Sequence, residues 1–317
     1  MAEKIYGYHG LILEVNLANR KASKIPLSKD DARNFIGGRG LGMKILTDRL
    51  KMPGVDPLSA ENPLLFMPGP FSGFPIPSAS RTCVVTKSPS TSPLKSKYPY
   101  ASTVSYSNMG GFFGPEIRFA GYDGIVVTGE SSTPVYIYID DDKVEIRDAE
   151  KFWGMKTDEF DRRFIEELGD RRFRTCYIGP AGENLVLYSS IISTAARAAA
   201  RGGVGCVMGS KKLKAIAIRG SQMPEVAEHE DFLNLLEDVR KNFKNGFKEG
   251  MTFEDWRRYG TPWALLYASD NGVMTVKNFP RVHFPMLIKL AALLRSRKSG
   301  SGILHASAAR WPARRRV

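Results

Sequence analysis

Residues 196–210 read ARAAARGGVGCVMGS and set two arginines four positions apart immediately before a run of glycines. Arg197 and Arg201 share one face if the segment is helical, because side chains four residues apart lie on the same side of a helix. Glycines let the backbone approach a ligand closely and present N–H groups to it. The pattern suits an anionic, phosphate-bearing cofactor, and it equally suits a glycine-rich turn beside two solvated arginines.

An internal repeat surrounds this stretch, with an offset of 91 residues. The first copy is GFFGPEIRFAGYDGIVVTG at 111–129, and the second is GGVGCVMGSKKLKAIAIRG at 202–220. Each copy predicts a glycine turn, about two turns of helix and a short apolar strand. Two such copies indicate a pseudo-twofold unit in which both glycine turns face one central ligand, although helix–turn–strand units also resemble one another by chance.

Composition is typical of a globular protein with a sizeable core. The chain has 317 residues, and 43% of them are hydrophobic, which is enough for one large domain or two smaller ones. No segment approaches the roughly 20 apolar residues of a membrane span, and MAEKIYGYHG lacks the apolar core of a signal peptide. We therefore expect a cytoplasmic protein without a membrane span.

The three cysteines are widely spaced, at Cys83, Cys176 and Cys206, and each lies in an apolar or strand-like context. They form no CxxC pair, so these three residues alone do not make a ligand set for zinc or for an iron–sulfur cluster. We expect buried free thiols.

The formal net charge of +13 is concentrated at the end of the chain. Residues 285–317 carry eight cations and no acid. Clustered cations bind polyanions by releasing counterions, but this segment has few aromatic residues for base stacking and begins abruptly after TVKNFPRVHF. A disordered or out-of-frame tail is favoured over a functional basic arm, and nucleic acid is not expected as a partner.

Hydrophobic alternation and glycine spacing predict an α+β body rich in strands. Strands are predicted at 6–16, 63–67, 82–86, 101–106, 125–128, 135–139, 143–147, 175–178, 185–192 and 215–219. Helices are predicted at 29–35, after the glycines of IGGRGLGMKILTDRL, at 157–168 and in each repeat copy. Those glycines are not read as a dinucleotide fingerprint, because no strand runs directly into them.

The pattern changes after Gly220 to a charged, periodic helix at 229–244 and a second helical piece at 262–270. The stretch SQMPEVAEH, near residues 220–228, is a plausible domain boundary. We expect a first domain at 1–220, the start of a helical second domain at 221–284 and the basic tail at 285–317.

A set of ordered motifs across residues 5–280 resembles the aldehyde ferredoxin oxidoreductase family, the tungsten- or molybdenum-bispterin enzymes. The motifs are the two repeat copies together with GLILEVNL, IGGRGLG, PLSAENPLLFMPGPFSG, SRTCVVTKSP, PVYIYI, IGPAGENLV and YGTPWALLYASDNGVMTVKNF. The resemblance implies two β-sheets related by a pseudo-twofold axis, which form a base for two pterins and their shared metal, followed by a short helical segment. A duplicated base accounts for the repeat.

The resemblance also implies cofactor-binding residues in the first half of the base. Arg81, in SASRTC, matches the family arginine that contacts the pterin. Asn108 and Gly110, in SNMGG, match the positions that bind one pterin and the magnesium bridging the two phosphates. The chemistry agrees, because arginine donates paired hydrogen bonds to phosphate and an amide oxygen is a suitable magnesium ligand.

In the second half of the base, the resemblance implies that Arg197, Ala198, Ala200 and Arg201 form the other pterin-binding motif. Ala198 is implied as the second magnesium ligand, through its backbone carbonyl. The family commonly has glycine where Ala200 stands, so this backbone contact depends on whether a positive φ is required there.

The implied reaction is the oxidation of an aldehyde to a carboxylic acid, with electrons passing from the metal through the pterin and an iron–sulfur cluster of the [4Fe–4S] type to ferredoxin. The implied cofactors are tungstopterin or molybdopterin and magnesium, the partners are ferredoxin and a small aldehyde, and a homodimer is compatible with the family. Catalytic residues stay unassigned.

The matched sequence stops near Phe279, before the CxxCxxxC cluster ligands of full-length relatives. We therefore expect a C-terminally truncated member whose isolated chain is inactive. Two alternatives stay open: a non-catalytic remnant that binds a cofactor or another anion, and a metal-pterin subunit of an aromatic thioester reductase.

Overall fold

The computed structural model describes residues 5–52, 54–91, 103–193 and 197–245, together with 264, 268 and 271–273. The chain divides into two compact units, Met1–Ala227 and Glu228–Val317. The predicted helical piece at 262–270, apart from two isolated positions, and the basic tail lie outside the described residues.

The first unit alternates strands with short helices. Its strands are β1 (Leu11–Asn16), β2 (Lys21–Pro26), β3 (Leu64–Pro68), β4 (Thr82–Lys87), β5 (Val104–Met109), β6 (Gly124–Thr128), β7 (Val135–Asp140), β8 (Lys143–Asp148), β9 (Arg174–Tyr177), β10 (Ile191–Ser193), β11 (Arg197–Ala199) and β12 (Leu213–Arg219). Its helices are α1 (Lys29–Phe35), α2 (Gly38–Arg49), α3 (Phe113–Phe119), α4 (Thr157–Leu168), α5 (Pro180–Glu183) and α6 (Val204–Ser210), with a 3-10 turn at Glu150–Phe152.

Two six-stranded sheets have the same topology. The strand order is β2-β1-β6-β3-β4-β5 in the first sheet and β8-β7-β12-β9-β10-β11 in the second. The parallel pairs are β1 with β6 and β7 with β12, and the other neighbours are antiparallel. The two repeat helices, α3 and α6, begin and end at the predicted offset. The prediction of an α+β fold with two related sheets is therefore confirmed.

A continuous apolar core lies between the two sheets. Buried side chains of both sheets meet there with α3 and α6, among them Phe66, Phe113, Ile137 and Ile216. Helices α1 and α2 cover the other face of the first sheet. Helix α4 covers the outer face of the second sheet through Phe160 and Phe164. The central strand β3 is apolar and buried at every position because both faces of its sheet are covered.

Two of the buried charges in this unit form ion pairs with buried partners. The Lys214 ammonium forms an ion pair with Glu183, both side chains being almost fully buried, and donates to the Ile178 carbonyl over 2.9 Å. The Arg118 guanidinium forms an ion pair with Asp123, which also accepts the N–H groups of His9 and Gly10. Such pairing is needed because an isolated charge in an apolar interior is strongly destabilising.

The first and last described segments of this unit are hydrogen-bonded to each other. The Gly7 N–H donates to the Glu225 carbonyl over 2.7 Å, and the Gln222 N–H donates to the Phe119 carbonyl over 2.7 Å. The two ends of the two-sheet body therefore lie side by side.

The local structure around β10 and β11 differs from the expectations drawn from the sequence. Residues 185–192 do not form one strand, since only Ile191–Ser193 is extended and Leu185 has φ +56° in a turn. The condition under which Arg197 and Arg201 would share a helix face is not met, because Arg197–Ala199 pairs as β11 with β10. Pairing with a neighbouring strand outweighs the high helix propensity of alanine and arginine.

In the second unit, α7 (His229–Asn245) follows the predicted helix at 229–244. It begins with Glu230 and Asp231 in its first turn, where acidic side chains interact favourably with the helix dipole. Across the described parts of the chain, no helix has both the length and the apolar character that a membrane crossing requires.

Candidate functional site

The candidate site lies where the edge strands of the two sheets meet, and we call this junction of β5 and β11 the seam. The backbone N–H of Arg201 donates to the Ser107 hydroxyl over 3.0 Å, which joins the end of β11 to β5. Each strand runs directly into one of the two glycine turns. The topology therefore brings together both motifs that are separated by the repeat offset.

The last residues of the two edge strands are structurally equivalent. Met109 and Ala199 each end a strand, and both are buried in the core between the sheets. Because side chains alternate along a strand, the preceding residues, Asn108 and Ala198, face away from that core. The seam thus places at equivalent positions the two residues for which a magnesium role is predicted.

The turn after β5 is closed by an arginine from the opposite sheet. A Cβ added to Gly110 would lie 3.9 Å from Cδ of Arg197, and one added to Gly111 would lie 3.4 Å from Cγ of Arg197. Gly111 has φ +97°, a conformation that favours glycine. The structure therefore brings Gly110 and Arg197 together.

The turn after β11 is closed in the same way from the other side. Gly202 and Gly203 have φ +71° and +69°, and a Cβ on Gly202 would collide with the Ser105 hydroxyl. Four residues separate Ala199 from α6, whereas three separate Met109 from α3. The two turns are related by the repeat but are not identical.

Arg81 and Asn108 lie on one face of the first sheet. Asn108 is exposed and pairs with Cys83, and Met109 pairs with Thr82. The exposed Arg81, one residue before Thr82, therefore stands opposite Gly110 in the continued register. No described residue bonds to the Asn108 side-chain amide, which is thus available to a ligand.

Arg81 and Arg201 differ from other arginines of the unit in having no described carboxylate partner. No described carboxylate forms an ion pair with Arg81 or with Arg201, and both are exposed. Elsewhere, Arg49 pairs with Glu14 and Arg219 pairs with Asp140 and Asp170. A surface on which guanidinium groups lack carboxylate partners favours a phosphate-bearing ligand.

Ala200 follows β11 and is exposed. It does not have a positive φ, unlike Gly202 and Gly203, so alanine occupies this position without backbone strain. The backbone of the second motif therefore does not require glycine at this point.

Arg39 and Tyr106, which received no role from the sequence, form a pair beside Asn108. The Arg39 Nη1 donates to the Tyr106 hydroxyl over 2.7 Å, and the guanidinium carbon lies 4.6 Å from the centre of the Tyr106 ring. Tyr106 is exposed on the same face of β5 as Asn108. The two-residue spacing of Tyr106 and Asn108 in VSYSNM, which places them on one side of a strand, was the signal available in the sequence for Tyr106.

The three cysteines are free and buried, as predicted. Burial raises the pKa of the Cys83 thiol to about 12, although the charge of Arg39 lowers it, so this thiol is protonated at neutral pH. The described residues contain no group of three or more His, Cys, Asp or Glu side chains that could hold a metal ion. A magnesium ion held by one amide oxygen, a backbone carbonyl and phosphate oxygens needs no such group.

Comparison with known proteins identifies similar sequences and folds. The family model described as aldehyde ferredoxin oxidoreductase, N-terminal domain, matches residues 12–220. The tungsten-containing aldehyde ferredoxin oxidoreductase of Pyrococcus horikoshii is 39% identical over 275 residues, covering 87% of this chain and 43% of that protein. The WOR-like subunit of the aliphatic sulfonate oxidoreductase of Pyrococcus furiosus is 36% identical over 272 residues, covering 81% of this chain and 40% of that protein.

Among solved structures, the active site complex BamBC of benzoyl coenzyme A reductase, in complex with 1,5-dienoyl-CoA, has a similar fold. The TM-score is 0.72 and the sequence identity is 35%, with coverage of 82% of this chain and 40% of that one. The chain thus spans less than half the length of the relatives that it matches.

Proposed function

Because the chain belongs to the aldehyde ferredoxin oxidoreductase family, we propose that its two-sheet unit binds a tungsten- or molybdenum-bispterin cofactor at the seam. The observation that carries this proposal is the contact of Arg197 with Gly110 and Gly111, since it joins the two family-matched motifs in one place. Two related sheets with related glycine turns suit a ligand that itself has two similar halves.

In this proposal the arginines bind the phosphate groups. Arg81, Arg197 and Arg201 neutralise their charge and donate paired hydrogen bonds. Gly110 and Ala200 supply backbone contacts on either side of the seam. The donor set fits the cofactor, because Arg81 and Arg201 are exposed without described carboxylate partners and the Gly111 turn leaves no Cβ between Arg197 and its backbone.

Asn108 and Ala198 are the residues proposed to hold the magnesium ion that links the two phosphates. Asn108 offers a side-chain oxygen and Ala198 a backbone carbonyl, both hard ligands of the kind that magnesium prefers. Their equivalent positions on the two edge strands support this role.

When bound, the metal-pterin group supplies the redox centre, and the protein positions it. The reaction that we propose for the whole protein is oxidation of an aldehyde to a carboxylic acid with ferredoxin as the electron acceptor. An iron–sulfur cluster and a homodimer belong to the same proposal. Because Cys83, Cys176 and Cys206 are buried and far apart in sequence, we expect no aldehyde-dependent viologen reduction by the 317-residue chain alone.

A second candidate function is reduction of an aromatic thioester. The similarity to the benzoyl coenzyme A reductase complex favours it, with 35% identity and a TM-score of 0.72. Both candidates require the same metal-pterin base, so the proposal for the seam does not depend on the choice between them. Turnover assays of the whole protein with an aldehyde and with an aromatic coenzyme A thioester distinguish the two.

The direct test is the composition of the purified chain. We expect tungsten or molybdenum, with a pterin fluorophore released on denaturation, when the chain is expressed in a host that makes the cofactor. Metal is measured by inductively coupled plasma mass spectrometry and pterin by fluorescence. A folded chain that contains neither contradicts the proposal and favours the alternative of a non-catalytic remnant.

A further inference from the structure

Arg39 is a cation beside the seam to which neither the family motifs nor the proposal above assigns a role. It lies in the first turn of α2, and its guanidinium both stacks on the Tyr106 ring and donates to the Tyr106 hydroxyl. A long, flexible side chain is thereby held by two contacts with one strand residue. Such a cation loses less conformational entropy when it binds an anion.

Tyr106 places this guanidinium next to the candidate magnesium ligand. Tyr106 and Asn108 are two residues apart on the exposed face of β5, a spacing of about 6.8 Å along a strand. Cys83, the ladder partner of Asn108, is also close enough to Arg39 for the arginine charge to influence its thiol. Two separate relationships therefore locate Arg39 over the β4–β5 edge where Asn108 lies.

The backbone that carries Arg39 is tightly folded. Ile36 and Gly38 have φ +63° and +50°, and a Cβ on Gly40 would collide with the Phe35 carbonyl oxygen. The position of Arg39 is therefore set by the turn between α1 and α2 as well as by Tyr106.

Arg39 also lacks a described counter-charge. The acidic residues of α1 and α2 that come nearest in sequence, Asp31 and Asp48, pair with Lys44 instead. Tyr106 accepts one of the five N–H donors of a guanidinium, and no other described acceptor is bonded to Arg39. Its remaining donors can form charge-assisted hydrogen bonds with phosphate oxygens.

We infer that Arg39, held by Tyr106, is a further anion-binding residue of the seam and contacts a phosphate group of the bound cofactor beside Asn108. The inference rests on the proposed function, because it takes the phosphate-bearing ligand from that proposal. Tyr106 acts as a positioning residue, since its hydroxyl and ring hold the guanidinium without contacting the anion.

The test is a calorimetric titration with inorganic pyrophosphate of the full chain produced in a host that does not make the cofactor, so that no cofactor phosphate occupies the site. We expect Arg39→Met to weaken binding about tenfold, the effect of losing one or two charge-assisted hydrogen bonds at an exposed site. Tyr106→Phe keeps the ring and should weaken binding severalfold. Arg33→Met is the matched control, since Arg33 is an exposed cation in the last turn of α1, and it should change the dissociation constant less than twofold.

Urea unfolding midpoints identify any variant that fails to fold, and Arg39→Lys then replaces Arg39→Met, with weaker binding still expected because lysine lacks the planar fork. Equal affinity of wild type and both Arg39 variants overturns the inference, as does the absence of pyrophosphate binding by the wild type. The tungsten and pterin contents of the chain from a host that makes the cofactor test the proposed function independently of the pyrophosphate titration. If the chain from a host that makes the cofactor contains neither metal nor pterin, while Arg39→Met still weakens pyrophosphate binding, the anion site is present and the proposed function is contradicted.

Discussion

The aliphatic stem of Arg197 covers Gly111 across the seam, so that a Cβ at Gly111 would stand 3.4 Å from the arginine Cγ. On the other side, Ser105 covers Gly202. Each glycine turn is therefore closed by the edge strand of the opposite sheet. The candidate site exists only when both sheets are folded against each other.

Replacing Gly202 with alanine should destabilise the protein by about 2 to 4 kcal/mol, because backbone strain adds to a steric clash. Gly202 has φ +71°, and a Cβ there would meet Ser105. Gly169→Ala is the matched control, since Gly169 has φ +66° with no atom within 4 Å of the added Cβ, and it should cost about 1 kcal/mol. Urea unfolding measures both. Equal losses would mean that the contact with Ser105 contributes nothing.

Asn108→Ala and Arg81→Met should each lower the tungsten or molybdenum content of the purified chain severalfold. The urea midpoint should stay near that of the wild type, because both side chains are exposed. The measurement is metal and pterin per chain, with Arg33→Met as a control that retains both. Full cofactor retention by both variants would remove these residues from the proposed site.

Removing the Lys214 ammonium should destabilise the unit by about 3 to 5 kcal/mol, because Lys214→Met leaves the Glu183 carboxylate buried without its partner. Lys151→Met, which breaks the exposed pair with Glu167, is expected to cost less than about 1 kcal/mol. Urea unfolding compares the two. In the double variant Lys214→Met/Glu183→Leu, part of the stability should return, and a further loss would contradict this account.

The free energy of unfolding should fall as the pH is lowered from 6.5 toward 4. Burial, together with the positive charge of Arg118, lowers the pKa of His9 from 6.5 to about 4, although a backbone hydrogen bond opposes the shift. Between these values the unfolded chain binds more protons than the folded chain, so stability increases with pH through this window. Partial exposure of the imidazole limits the effect to about 1 to 2 kcal/mol.

The check on the His9 prediction is urea unfolding at a series of pH values between 4 and 7. His9→Gln should flatten the dependence, whereas His229→Gln, at the exposed start of α7, should leave it unchanged. An unaltered slope in the His9 variant would assign the acid sensitivity to other groups.

Much of the fold could be predicted because local pattern and tertiary environment agree. Helix α1 has the predicted bounds, with Ser28 accepting the Asp31 N–H at its start, and α4 has an amphipathic pattern whose Phe160 and Phe164 are buried. The repeat predicted α3 and α6 because their glycine turns and apolar strands recur in both halves. These features are encoded within short segments.

Edge strand β11 was not predicted, and β10 coincides only with the end of the predicted strand at 185–192, because both strands depend on tertiary pairing. The alanine- and arginine-rich segment at 197–201 has helical composition, yet Arg197–Ala199 is an extended strand paired with β10, and the Arg201 N–H donates to Ser107. The roles of Ser105 and Tyr106 could not be predicted for the same reason. Their partners, Gly202 and Arg39, are neighbours only after the sheets have formed.

The hydrogen bond between Gly7 and Glu225 holds the first and last segments of the two-sheet body next to each other. Along the chain, the two halves are connected by the segment that contains the exposed Glu130 and Ser132. A circular permutation that links 225 to 7 and opens the chain at 130–134 exchanges the order of the halves while every strand keeps its neighbours. The order of the two halves along the chain is therefore not imposed by the architecture.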